Sequence, residues 1–149
     1  MKFLKDISFK EKRVIIRVDF NVPLNDDLEI TDETRIVAAL PSINYVLDKG
    51  GAAVIISHLG RPAGVDLKLS LKPVSKKLSN LLNRPVNFLD DCVGDSVEQA
   101  IKNSNSGDVF LLENLRFYNE ETDGDMLFSE KLSRLGDAYV NDAFGTSHR

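Results

Sequence analysis

The chain has 149 residues, 42% of them hydrophobic and 28% charged, which is enough for one sizeable core and excludes a disordered polymer. Its formal net charge of −4 argues against nonspecific nucleic-acid binding, and it has no apolar run of membrane-spanning length. The single cysteine, Cys92, excludes an internal disulfide and fits a reducing compartment; we interpret it as a small, partly buried side chain. We therefore expect one cytoplasmic domain with no nucleic-acid or membrane partner.

Apolar runs alternate with helical periodicities along the chain. Strands are predicted at about residues 13–18, 52–57, 86–89, 109–112 and 138–140. Helices are predicted between them, around residues 31–47, 71–82, 93–101 and 128–135. Because the strands are continuous apolar runs that alternate with helices, the predicted fold class is α/β. We expect a doubly wound, mostly parallel sheet with helices on both faces, a Rossmann-like three-layer arrangement.

The first helix carries several local signals. Thr31 is predicted as its N-cap, with Asp32 and Glu33 in the first turn, where the helix dipole favours anions. Pro41 lies inside the periodic pattern and should either kink the helix or restart it. Glycines at positions 50 and 51 are expected to end it.

Four of the predicted strands run directly into polar sequence, and Arg35 lies in the helix that follows the first of them. Since the carboxyl ends of parallel strands meet at one edge of a sheet, these side chains should gather there. Guanidinium groups bind phosphate and carboxylate through paired hydrogen bonds, so the set predicts a local anion site on an acidic protein. Gly60 and Gly145 would allow close backbone approach to a ligand. The polar side chains concerned are Asp19, Asn21, Arg35, His58, Arg61, Asn114, Arg116, Asn141, Asp142, His148 and Arg149.

Each residue taken alone has a simpler explanation. Arg17 could pair with a buried carboxylate, Arg35 could be solvated, Arg61 could belong to a surface turn, and Asp142 could bond local backbone amides. Only their joint placement after strands favours an anion site. A dinucleotide-binding domain would fit the fold, but the glycine-rich fingerprint is missing after the first strand. The phosphate loop, zinc-ligand spacing and the nucleophile elbow are also missing.

Four segments resemble signature motifs of the phosphoglycerate kinase family, in the family's order and approximate spacing. They are residues 17–23 (RVDFNVP), 57–62 (SHLGRP), 112–117 (LENLRF) and 140–146 (VNDAFGT). The resemblance covers the whole chain; Ser147 stands where the family commonly has alanine. It implies that residues 1–149 form the amino-terminal, 3-phosphoglycerate-binding domain, incomplete at its C-terminal end and without the nucleotide-binding domain.

The family transfers a phosphoryl group between 1,3-bisphosphoglycerate and ADP, giving 3-phosphoglycerate and ATP in glycolysis. The resemblance implies that Mg-ATP or Mg-ADP binds to the second domain, so no cofactor or metal is expected here. It implies a catalytic role for Arg35 beside the transferring phosphoryl group and glycerate contacts from Asp19 and Asn21. His58, Arg61, Arg116 and Arg149 would hold the non-transferred phosphate. The loop residues that would also touch the substrate are Phe20, Leu59 and Gly60.

A second hypothesis comes from another class of protein: a stand-alone, non-catalytic α/β module that binds a phosphorylated metabolite or a protein partner. The missing nucleotide half favours it. Under the enzyme hypothesis, the parent is expected to be a monomer, and this part of it should show no kinase activity on its own. An uncovered sheet edge would favour self-association of the isolated chain.

Overall fold

A computed structural model describes residues 12–27, 29–59, 69–91, 93–115 and 132–142, except the side chains of residues 141 and 142. Several residues singled out from the sequence lie outside this part of the chain, and their predicted roles stay predictions. They are Gly60, Arg61, Cys92, Arg116, Phe128, Gly145, Ser147, His148 and Arg149.

The predicted alternation of strands and helices is confirmed from the first strand to the fourth, and the predicted helix around residues 128–135 lies partly outside the described residues. The described elements are β1 (Arg13–Val18), α1 (Thr34–Asp48), β2 (Ala52–Ile56), α2 (Lys72–Leu82), β3 (Asn87–Leu89), α3 (Asp95–Lys102), β4 (Val109–Leu112) and β5 (Ala138–Asp142). The strands form one sheet in the order β3-β4-β2-β1-β5, and every neighbouring pair is parallel. Within the described residues, no helix is long and apolar enough to cross a membrane.

Both faces of the sheet are covered, which explains why the strands are apolar throughout. Val14 and Ile16 of β1 pack with α1 and α2 on one face. Ile15 points to the other face, where it packs with Val97 and Ile101 of α3. Side chains alternate between the faces of a strand, so a strand buried on both sides shows no polar alternation. The doubly wound, three-layer fold is therefore confirmed.

The start and the interior of α1 differ from the prediction. The helix begins at Thr34, not just after Thr31, because the carboxylate of Asp32 accepts hydrogen bonds from both the amide and the hydroxyl of Thr34. The helix then continues through Pro41 without restarting. Pro41 removes one hydrogen bond to the carbonyl of Val37, and both residues lie on the exposed side, where water can replace the lost donor.

Helix α1 ends where the sequence predicts, whereas β5 extends further than predicted. Gly50 follows α1 with φ of 87°, in the left-handed region that glycine tolerates, so the predicted helix end is confirmed. The fifth strand was predicted to stop at Val140 but extends through Asp142. The register pairs Arg17 with Asn141 and Val18 with Asp142, so pairing with β1 outweighs the low strand propensity of these two residues.

Candidate functional site

The carboxyl ends of β1, β2 and β4 are joined by hydrogen bonds through Ser57. Its side chain is 1% exposed, and its hydroxyl accepts a bond from the Phe20 amide at 2.9 Å. Its carbonyl accepts a bond from the Leu115 amide at 3.0 Å. These bonds therefore fix the positions of the loops after three neighbouring strands relative to one another. A ligand-binding site at the ends of the strands requires such fixed loops. Ser57 was not predicted as a site residue, although a hydroxyl directly after an apolar strand was a visible signal.

Asp19 and Arg35, both predicted site residues, contact each other. Nη1 of Arg35 lies 3.0 Å from each carboxylate oxygen of Asp19. The same carboxylate accepts a bond from the Asn21 amide at 3.1 Å, which shapes the loop after β1. Half of the Arg35 side chain is exposed, against 20% for Asp19. The pair thus links the start of α1 to the end of β1 and leaves part of the guanidinium accessible.

Phe20 and Leu59 have buried side chains. They are 0% and 2% exposed, and both belong to the core cluster beneath α1 and α2. The backbone amide of Phe20 is bonded to Ser57, and that of Leu59 to the side chain of Asn114. If either residue contacts a substrate, its side chain is not the contacting group. Their predicted substrate contact stays a prediction.

His58 lies between two anchored residues. Ser57 before it bonds Phe20 and Leu115, and Leu59 after it bonds Asn114. The side chains of His58 and Asn21 are neither fully buried nor fully exposed. The sheet thus places His58, Asn21 and the Asp19–Arg35 pair at the same edge, as the sequence predicted.

Asn114 occupies a different position from the one predicted. It was grouped with the polar side chains of the anion site, but it is 0% exposed. Its amide bonds the backbone of Leu59 and Leu69 instead of facing solvent. Glu113, which was not predicted, is also buried and accepts bonds from Ser70 and Leu71. Two consecutive polar residues directly after an apolar strand were the signal that could have singled out Glu113 as well as Asn114. The sequence alone did not show that both are buried.

The backbone of β5 reaches the same edge beside β1. Among the described residues, no group of three or more histidine, cysteine, aspartate or glutamate side chains could hold a metal ion. A parallel α/β sheet with fixed polar loops at its strand carboxyl ends is the architecture of a domain that binds a small ligand at that edge.

Comparisons with known proteins identify the family. The phosphoglycerate kinase family model matches residues 4–149, and the chain belongs to that family. It is 56% identical to the phosphoglycerate kinase of Dictyoglomus turgidum, with 98% of this chain and 37% of the relative covered. It is also 56% identical to that of Chlorobaculum tepidum, covering 99% of this chain and 38% of the relative. The resemblance seen in the four motifs is confirmed, and the non-catalytic alternative is not favoured.

Solved structures agree with this assignment. The structure of phosphoglycerate kinase from Pyrococcus horikoshii superposes with a TM-score of 0.88 at 37% identity, covering 100% of this chain and 38% of that one. The enzyme from Coxiella burnetii gives a TM-score of 0.83 at 35% identity, covering 97% of this chain and 36% of that one. The chain therefore spans a little over a third of the length of the relatives it matches.

Proposed function

We propose that this chain is the glycerate-binding part of a phosphoglycerate kinase, a phosphotransferase with a carboxyl group as acceptor. Family membership over residues 4–149 carries the proposal. The enzyme would exchange a phosphoryl group between 1,3-bisphosphoglycerate and ADP in glycolysis, in the cytoplasm and as a monomer. The Mg-nucleotide would bind to a second domain, outside these 149 residues. Residues 1–149 would form the greater part of the amino-terminal domain.

The hydrogen-bond donors that remain on Arg35 support this role. Phosphoryl transfer depends mainly on positioning and on stabilising charge, so cations beside the reacting group matter more than a nucleophile. Arg35 binds Asp19 through Nη1 alone, which leaves the donors of Nε and Nη2 for an anionic substrate. Under the proposal, Arg35 would stabilise the transferring phosphoryl group.

Asp19 and Asn21 would contribute orientation instead of charge neutralisation. A carboxylate repels an anionic substrate but can accept a hydrogen bond from its hydroxyl group, and an amide can donate to its carboxylate. His58, Arg61, Arg116 and Arg149 would hold the phosphate that is not transferred. That phosphate keeps its charge throughout the reaction, so these residues would contribute to binding more than to rate.

Titration of the chain with 3-phosphoglycerate, followed by two-dimensional NMR, tests the proposal. We expect amide shifts at Asp19, Asn21, Arg35 and His58, because these residues share one edge of the sheet. Inorganic phosphate serves as the comparison ligand and should bind more weakly, since it lacks the glycerate group. Shifts confined to the opposite edge, or no shifts at all, would refute the proposed function.

A pair of arginine variants sharpens this test. Arg61→Ala should weaken 3-phosphoglycerate binding at least about tenfold, because a charge-assisted hydrogen bond is worth about 1.5–3 kcal/mol. Arg134→Ala removes an exposed arginine that precedes β5, at the other edge of the sheet, and should leave the affinity unchanged. Equal losses in both variants would mean that the response reflects net charge instead of a site.

A further inference from the structure

Asn114 makes a two-way contact with the backbone of a residue in the proposed site. Its Oδ1 accepts a bond from the Leu59 amide at 3.2 Å, and its Nδ2 donates to the Leu59 carbonyl at 2.8 Å. Its Nδ2 also donates to the Leu69 carbonyl at 2.9 Å. Only a side chain with a donor and an acceptor on one planar group can make this set of bonds. The amide therefore fixes the position and the orientation of the Leu59 peptide groups.

Glu113, the residue before Asn114, binds the chain directly before α2. Its carboxylate accepts bonds from the Ser70 hydroxyl at 2.6 Å and the Leu71 amide at 2.8 Å. Leu71 is the residue directly before α2, so Glu113 also satisfies one of the free amides at that helix start. The two residues that follow β4 thus hold both flanks of residues 60–68.

The contacts of Asn114 with Leu59 concern the part of the proposed site that contains His58, and not the Asp19–Arg35 pair. His58 is covalently joined to Leu59, whereas the Asp19–Arg35 pair is connected to β2 through Ser57 and Phe20. Loss of the Asn114 amide would release the Leu59 peptide groups on one side of His58, while Ser57 would still hold the other side and Asp19 and Arg35 would stay in contact. We propose that Asn114 is a positioning residue that orients His58 and the adjoining backbone for phosphate binding. This inference rests on the proposed function of the sheet edge.

Amide hydrogen exchange and ligand binding in Asn114→Ala together test the inference. We expect the Leu59 amide to exchange at least about tenfold faster while the Phe20 amide keeps its rate, since Phe20 is held by Ser57. The affinity for 3-phosphoglycerate should fall about tenfold or more. Asn114→Ser, which puts a smaller polar group in the buried site, should behave in the same way and provides a second, milder variant.

Ser70→Ala is the matched control. It removes the hydrogen bond that the Ser70 hydroxyl donates to Glu113 and the one that it accepts from the Lys72 amide, and it makes no contact with the Leu59 amide. It should therefore lower stability and leave both Leu59 exchange and affinity unchanged. Equal acceleration at Leu59 and Phe20 in both Asn114 variants would show a merely structural role and overturn the inference. Unchanged affinity with faster Leu59 exchange would also overturn it. No binding by the unaltered chain would instead refute the proposed function.

Discussion

The carboxylate of Glu113 offers the sharpest test of how this edge of the sheet is held together. It is 6% exposed and accepts hydrogen bonds from the Ser70 hydroxyl, the Leu71 amide and the Asn114 backbone amide. Glu113→Ala would leave the amides of Leu71 and Asn114 without this partner, and both residues are 0% exposed. A buried donor without a partner costs about 1–3 kcal/mol, so two of them should lower the free energy of unfolding by about 4 kcal/mol.

Glu113→Gln separates the loss of charge from the loss of the acceptor. The remaining carbonyl oxygen can keep both amides, which Oε1 of Glu113 now binds, and the new NH₂ group can donate to the Ser70 hydroxyl. These three bonds lose their charge assistance but not their partners, so we expect a cost of about 1–2 kcal/mol. The two substitutions should therefore differ by about 2–3 kcal/mol.

Urea unfolding followed by circular dichroism measures these differences. Glu98→Ala, on the partly exposed surface of α3, is the matched control and should change stability by less than about 0.5 kcal/mol. Since a domain of this size is stable by about 5–15 kcal/mol, Glu113→Ala should remain measurable as a folded protein but with a much lower midpoint. A loss below about 1 kcal/mol in Glu113→Ala would show that the buried amides find other partners, and would refute the reasoning.

Three further predictions concern other parts of the chain. Hydrogen bonds from the Thr34 hydroxyl and, to a smaller extent, from the Thr34 amide lower the pKa of Asp32. The ionised Asp32 side chain therefore stabilises the fold fully above the usual carboxyl pKa, and this stabilisation is lost as the pH falls through the lowered pKa. Thr34→Val should raise the pKa of Asp32 in an NMR titration, and an unchanged pKa would contradict this cause. Gly136→Ala should lower the free energy of unfolding in urea by about 1–3 kcal/mol, because the new Cβ would lie 2.7 Å from Ile15 Cγ1 and 3.0 Å from the Arg13 carbonyl oxygen. A free energy of unfolding equal to that of the unaltered chain would show that β1 can move aside. Arg35→Ala should change stability by less than about 1 kcal/mol, because its ion pair is half-exposed. It should weaken 3-phosphoglycerate binding in calorimetry if Arg35 lies beside the reacting carboxylate, and unchanged affinity would contradict that contact.

The sequence predicted the sheet well because its signals were local and strong. Runs such as Val109–Leu112 are buried on both faces, and such runs are recognisable without knowing their neighbours. Element ends were less predictable, since they depend on which individual polar and backbone groups pair, and periodicity does not show that. Residues Asn141 and Asp142 extend β5 because β1 supplies backbone partners, and α1 starts late because Asp32 bonds Thr34.

The same distinction applies to the site. Asp19, Asn21 and His58 were predicted from their positions after strands, and Arg35 from its position at the start of the first helix; the structure brings all four to one edge. The pairing of Arg35 with Asp19 was not predictable, because they are 16 positions apart in the chain and only the fold sets their distance. The side chains that hold the edge together were missed for the same reason: Ser57 and Asn114 act on residues 37 and 55 positions away.

The exposed and the buried polar groups at this edge of the sheet have different roles. Groups with exposed surface at the edge, such as Arg35, can meet an anion, whereas the polar groups beneath them are neutral or already satisfied by the backbone. Ser57 and Asn114 add no charge to the edge, so they can fix the loops without repelling or neutralising an anionic ligand. The side-chain oxygens of Glu113 accept hydrogen bonds from Ser70 and Leu71, which lead into α2, and from the Asn114 backbone amide. The described loops can therefore be held in place without adding charge beside the exposed part of Arg35, which the proposed electrostatic role of that residue would require.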